Sequence, residues 1–256
     1  YKGEAQRARE KTECRVLAET IKNYRANFQQ RLSSISDMQA YCRTTLDQYS
    51  VRIGEHSTTS LEERSKILEL DDLVSILSKE TVNACATAKH APTHEVRVLA
   101  AKQAAKQQHD YHSARRTMNE LKETMNENTR MAKVYTVLHS SMDERYGHVI
   151  AMASILRQSG THLDHLLQEY ENGASSIHVV LLRQTIEQCN FSLSQVNILN
   201  KKYHVIEAEA ANMQTLSGVQ LEDEYMKAIK NSAAREEQRG KERDNGKDDA
   251  INTALG

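Results

Sequence analysis

Apolar residues recur along this chain at alternating spacings of three and four, the period of helices that bury one face. Set in heptads from Cys14, the core positions are Cys14, Leu17, Ile21, Tyr24, Phe28, Arg31, Ile35, Met38, Cys42, Thr45, Tyr49 and Arg52. Nine of these twelve are apolar, counting Cys and Tyr, Leu32, Leu46 and Ile53 sit one place beyond the three misses, and the stripe is about 60 Å long at 1.5 Å per residue. Gly54 to Thr59 then lacks an apolar stripe, and Ser60-Leu61-Glu62-Glu63 has the form of a capping box, in which Ser60 accepts from the Glu63 amide while Glu63 reaches back. The pattern predicts an interruption there, followed by a helix with its seam at Ile67, Leu70, Val74, Leu77, Thr81, Ala84 and Ala88. This helix stops at Pro92, which has no amide proton for a helix interior.

The next helix is the longest. Its seam runs from Tyr111 through Ala114, Met118, Leu121, Met125, Asn128, Ala132, Tyr135, His139, Met142, Tyr146, Val149 and Ala153 to Leu156. The polar members Asn128 and His139 read as register-setting groups inside the packed seam. Gly160 to Gly173 has a different texture and predicts a short separate helix, capped by Thr161 and closed by Gly173 in the left-handed conformation. A last long helix is expected from about Ser176, with Val179, Leu182, Ile186, Cys189, Leu193, Val196, Leu199, Tyr203, Ile206, Ala210 and Met213 inward, fading after Gly218. From Arg235 to Asp249 almost every residue is charged, Gln, Asn or Gly, the composition of a frayed helix end or linker.

Lengths then constrain topology. If Gly54 is only a kink, residues 14–90 span about 115 Å, 94–158 about 97 Å and 176–232 about 85 Å. Three matched rods give an all-α fold: an elongated, antiparallel, coiled-coil-like three-helix bundle over 1–232, with a head elaboration at about 157–178 and a charged flexible tail or linker over 233–256. In that arrangement Cys42 and Cys189 come out level on facing seams, which makes them disulfide candidates. The alternative is that an apolar seam simply accommodates buried thiols, and both readings stand. Cys14 and Cys85 have no level partner.

Composition narrows the chemistry. One Pro and 9 Gly in 256 residues exclude turn-rich β folds and Rossmann-type sheets. A formal net charge of −1 excludes a chain-wide positive field, so no nucleic-acid partner is expected. Lys102, Lys106, His109, Arg115 and Arg116 form a local basic stripe, either a solvated helix face or a surface for acidic groups such as phospholipid headgroups. The pairs His109/His112 and His162/His165 share a helix face but lack the further ligands of a metal site, so no metal is expected. No Gly-x-Ser-x-Gly nucleophile turn occurs, and the seam cysteines lie where a thiol is inert, so neither catalytic residues nor a cofactor are expected. Asn190-Phe191-Ser192 is a candidate glycosylation sequon.

Cys14, Cys42 and Cys189 on the seams, helix ends at Pro92, Gly160 and Gly173, and the polar run from Arg235 to Asp249 together resemble the ectodomains of trypanosome surface receptors, namely the invariant surface glycoproteins and the haptoglobin-haemoglobin receptor group. The resemblance implies a cell-surface receptor, joined to the plasma membrane by an anchor beyond residue 256, that binds a host serum macromolecule such as an immunoglobulin, a complement component or a carrier protein. A rod on a flexible tail lifts its far end away from the membrane, and loops on a rigid scaffold carry binding residues. His162, Asp164, His165, Gln168, Glu171 and Asn172 are then the expected ligand-facing residues. The alternative is an intracellular helical scaffold, for example a membrane-curvature-binding dimer of the BAR type, in which the basic stripe faces lipid. A bacterial secretion-system or adhesin protein shares the rod but not the serum ligand.

Overall fold

The structure, a computed structural model, describes residues 2–255. Among them the fold is all-α, with four helices and no strand: α1 (Lys2–Lys89), α2 (His94–Glu171), α3 (Val179–Ala210) and α4 (Gly218–Leu255), with a single 3-10 turn at Met213–Thr215.

The chain reverses where the backbone demands it. After α1, Pro92 blocks continuation and Thr93 opens α2, its Oγ1 accepting from the Val96 amide at 3.3 Å. At the end of α2, Gly173 takes φ +73°. The Gly173 amide donates to the Tyr170 carbonyl at 3.0 Å and the Ala174 amide to the Glu169 carbonyl at 3.1 Å, the paired bonds that close a helix through a left-handed glycine. His178 caps α3, its ring nitrogen accepting from the Leu181 amide.

Three sequence expectations are corrected. α1 runs without a break through Gly54 to Thr59, and no helix begins at Ser60. A lone interior glycine costs only about 1 kcal/mol, and the polar residues around it have partners across the helix pair. Ser60 shares a hydrogen bond with Thr129 at 2.8 Å, and Glu63 accepts from Asn128, so neither serves as a cap. The separate short helix expected over 160–173 is likewise part of α2, because Leu163, Leu166 and Leu167 continue its buried stripe. Finally, the single helix expected from Ser176 past Gly218 is two: α3 ends at Ala210 and α4 starts at Gly218, whose φ is +60°. The run read as a frayed end or linker is helical through Leu255, with residues 236–255 all exposed.

The chain divides into two compact units. The first comprises residues up to Tyr49, Val137–Thr215 and those from Met226 on. Its core is built on three ladders of buried residues, each with a step of seven: Ile21, Phe28, Ile35 and Cys42 on α1; Met142, Val149, Leu156 and Leu163 on α2; Leu182, Cys189, Val196 and Tyr203 on α3; Met152, Ala153, Leu166 and Leu167 of α2 fill in beside them. Cross-helix bonds give the register. Tyr24 donates to Asn190 and Arg31 to Asn197, both pairs 166 residues apart, so α1 and α3 run in the same direction. Arg25 meets Asp164 and Arg43 meets Tyr146, so α2 runs against them. The second unit comprises Ser50–Thr136 and Leu216–Tyr225. Here α1, α2 and the turn between them bury only Ile67, Ala91, Ala104, Met118 and Val134 as apolar residues, and a polar relay ties the helices: His56 Nδ1 donates to Asn128 Oδ1 at 2.9 Å, and Asn128 Nδ2 donates to Glu63 Oε1 at 2.9 Å.

This distribution of burial predicts uneven sensitivity. Phe28→Ala should cost about 3–5 kcal/mol in urea unfolding, whereas Leu61→Ala, at a position 66% exposed, should stay within about 0.5 kcal/mol. Equal costs at the two positions would contradict the assignment of the core.

Candidate functional site

The last turns of α2, before the Gly173 reversal, carry the six residues that the sequence singles out, and the structure sorts them onto different faces. Asp164, Gln168 and Glu171 fall at steps of four and three, hence on one face. That face looks toward α1, where Asp164 lies 3.6 Å from Arg25 and Glu171 lies 3.9 Å from Lys22. Asn172 follows at the helix end, its amide donating to the Gln168 carbonyl. His165 is exposed. His162 is separated from the others and points toward α3.

Two clefts flank α2 in this region. On the α1 side a cleft of about 310 Å³ is lined by Arg25, Gln29, Thr161 and Asp164 above Phe28 and Leu156. Its rim is charged and its floor apolar, the combination that recognition surfaces use. Gly160 opens the same cleft, and open space surrounds the position where a Cβ would stand. On the α3 side a cleft of about 380 Å³ holds His162 with Ile155, Leu163, Cys189 and Phe191. Ser159 and Ser192 share a hydrogen bond at 2.9 Å beside it. Sequence reading missed Arg25, Gln29 and Phe191. Arg25 and Gln29 follow the core residues Tyr24 and Phe28 by one place, which is the only signal for them; Phe191 stands out as a large apolar residue off the α3 seam.

The cysteines are free thiols, so the Cys42–Cys189 bridge is not formed. Register is the reason. Cys42 neighbours Tyr203, whose hydroxyl bonds to its thiol. Tyr203 is two heptads beyond Cys189, about 21 Å along α3, and a disulfide needs Cα atoms within about 7 Å. The level match expected from sequence came from ending α2 before Gly160, which shortened it by about the same distance. Burial raises the pKa of the Cys42 thiol, against the lowering effect of Tyr203 and Arg145, and pushes that of Cys189 up to about 11. The sequon residue Asn190 is exposed, with its Oδ1 accepting from the Tyr24 hydroxyl at 2.5 Å.

Further polar clusters hold helices together. Arg145, almost fully buried, donates to Glu207 at 2.8 Å and to the Tyr203 hydroxyl at 3.1 Å, with its guanidinium over the Tyr203 ring. Asp143 accepts from Arg235 at 2.9 Å and from Arg239 at 2.7 Å, which fastens α4 to α2. His139 lies beside this pair, and burial lowers its pKa, with Asp143 opposing. The basic stripe Lys102, Lys106, His109, Arg115 and Arg116 is exposed throughout, Arg115 donating to the Tyr111 hydroxyl. Among the described residues no three His, Cys, Asp or Glu side chains gather as a metal site, and no helix is long and apolar enough to cross a membrane. No family model, curated protein or solved structure matches the chain.

The Cys189 thiol gives a testable pH dependence. The folded chain keeps its proton to about pH 11, while an unfolded thiol loses it near the ordinary value of 9.0. Between those limits the folded state binds more protons, so stability present below pH 9 is lost as the pH rises toward 11. Wild-type stability in urea should therefore fall more steeply across this window than that of Cys189→Ala, by up to about 1.4 kcal/mol per pH unit. Parallel pH profiles would contradict the buried, neutral thiol.

Proposed function

We propose that the chain is a recognition protein without catalytic turnover, the ectodomain of a cell-surface receptor that holds a host serum macromolecule at the α2–α3 end of its first unit. An immunoglobulin, a complement component and a carrier protein are the candidate classes. One observation carries the reading: next to the Gly173 reversal, Arg25, Asp164 and Gln29 rim a cleft whose floor is apolar, with Gln168 and Glu171 continuing the polar face toward the turn. A rim of this kind contributes specificity, and an apolar floor contributes the area that becomes dry on binding. The finer architecture belongs to the same proposal: an elongated antiparallel three-helix bundle of coiled-coil type, supported by the three seven-step ladders and their register. Membership of the trypanosome surface-receptor group, the anchor beyond residue 256 and glycosylation at Asn190 stand with it as proposals.

The four free thiols favour a second reading, since a reducing compartment keeps cysteines unpaired. In that reading the chain is an intracellular helical scaffold that applies the exposed Lys102–Arg116 stripe to anionic lipid.

Immobilised chain exposed separately to immunoglobulin, complement and carrier-protein pools should retain one pool. Arg25→Glu combined with Gln168→Ala should reduce that retention at least about tenfold, the effect of 1.4 kcal/mol, with helix content unchanged. Retention of none, together with salt-sensitive sedimentation on phosphatidylserine vesicles that Lys102→Glu/Lys106→Glu abolishes, would overturn the receptor reading in favour of the scaffold.

A further inference from the structure

α3 carries two apolar seams, and the chain buries only one of them. Leu182, Cys189, Val196 and Tyr203 face the core. Phe191, Ile198 and Val205 repeat the same seven-residue step two positions later, which places them about 200° around the helix, on the opposite face. They are 64%, 52% and 57% exposed, and Val180, on the same face eleven residues earlier, is 56% exposed. An outward helix face of a folded unit is normally polar, and a seam from Val180 to Val205 extends about 38 Å.

The residues beside the seam say what covers it. Glu187 and Lys202 flank it on the same face, both exposed, and neither has an ion-pair partner among the described residues. They stand equally far from the midpoint between Ser194 and Gln195, and so do Phe191 and Ile198. A two-fold axis through that midpoint, with two α3 helices antiparallel, brings Phe191 level with the partner's Ile198 and Glu187 level with the partner's Lys202, and each contact occurs twice. A parallel pairing instead sets Glu187 against Glu187 and Lys202 against Lys202. The match is confined to these two central pairs, since Val205 comes level with the partner's Gln184 and Val180 with the partner's Glu209, and reciprocal pairs about one point are the form of an isologous contact.

We propose that the outer face of α3 is a homodimer surface, on which a second copy of this chain packs antiparallel through Phe191 and Ile198 and is oriented by reciprocal Glu187–Lys202 ion pairs. The cleft of about 380 Å³ beside Phe191 then receives the partner's Ile198. Asn190 lies 100° back from Phe191 around α3, on the side that meets Tyr24 of α1, so a glycan there does not stand on the seam itself. A single helix seam is a small interface, below about 1,200 Å² in total, and such contacts associate weakly. Its effect is largest where copies are concentrated on one surface. The inference does not rest on the ligand reading, since Asp164 and Glu171 lie on the α1-facing side of α2.

Sedimentation equilibrium of the full chain across a micromolar to submillimolar series tests it. Wild type should show concentration-dependent dimers, and Phe191→Glu/Ile198→Glu should stay monomeric with unchanged circular dichroism. Glu187→Lys and Lys202→Glu should each weaken dimerisation about fivefold or more, and the double exchange should restore it. A monomeric wild type at every concentration would overturn the proposal. So would a dimer indifferent to Phe191→Glu/Ile198→Glu, or a double exchange no better than its single parents. Each readout is independent of serum-protein capture, so either proposal can fail alone.

Discussion

The seven-residue step of buried side chains on α1, α2 and α3 is the constraint on which the first unit depends. Ladders with the same step on three helices interlock only in registers that align their rungs, because a shift by less than a heptad sets large residues against polar ones. The observed alignment puts Phe28 and Leu156 under the cleft that Arg25 and Asp164 rim. It also turns Phe191, Ile198 and Val205 outward, since residues two places from a core rung point away from it. Both the candidate ligand surface and the candidate dimer surface are consequences of one periodicity.

Polar groups sharpen that choice of register. Arg145 is buried among apolar neighbours and is matched by Glu207 and Tyr203, so sliding α3 by one heptad leaves a guanidinium without its carboxylate. Only the guanidinium is buried, and solvent screens the half-exposed Glu207, so the pair adds little net stability and its contribution is specificity of alignment. In the second unit the His56–Asn128–Glu63 relay has the same role between two helices with few buried apolar residues. The Glu63 carboxylate fixes the orientation of the Asn128 amide, and that orientation makes His56 Nδ1 the donor.

Periodicity made the helices legible, and the breaks were legible only in part. Pro92 ends α1 as expected because its effect is local and absolute. Gly173 closes α2 as expected because the left-handed conformation is open to it. Gly54 and Gly160 looked alike in sequence, yet each sits inside a continuous helix, since a glycine weakens a helix by an amount that cross-helix packing overrides. The phase carried the missing information: Leu156 and Leu163 are seven apart, so the stripe does not pause at Gly160. The α3–α4 reversal was missed because in sequence Gly218 marks only the place where the stripe fades, whereas its φ of +60° lets the backbone turn and a new helix start there. Of the expected site residues, Asp164, Gln168, Glu171 and Asn172 share one edge; the positions of Arg25 and Gln29 against them depend on register, which no single segment encodes.

Recognition in this account is a property of alignment. The α1–α3 alignment stands Cys42 beside Tyr203 and leaves Cys189 two heptads away. A peptide map of the protein, digested without reductant after oxidative purification, tests that alignment most directly. The account predicts four alkylatable thiols, with Cys42 and Cys189 in separate unlinked peptides. Recovery of a Cys42–Cys189 linked peptide would require α1 to slide against α3 by more than 20 Å, about fourteen residues at 1.5 Å each, and would contradict the register on which the rest is built.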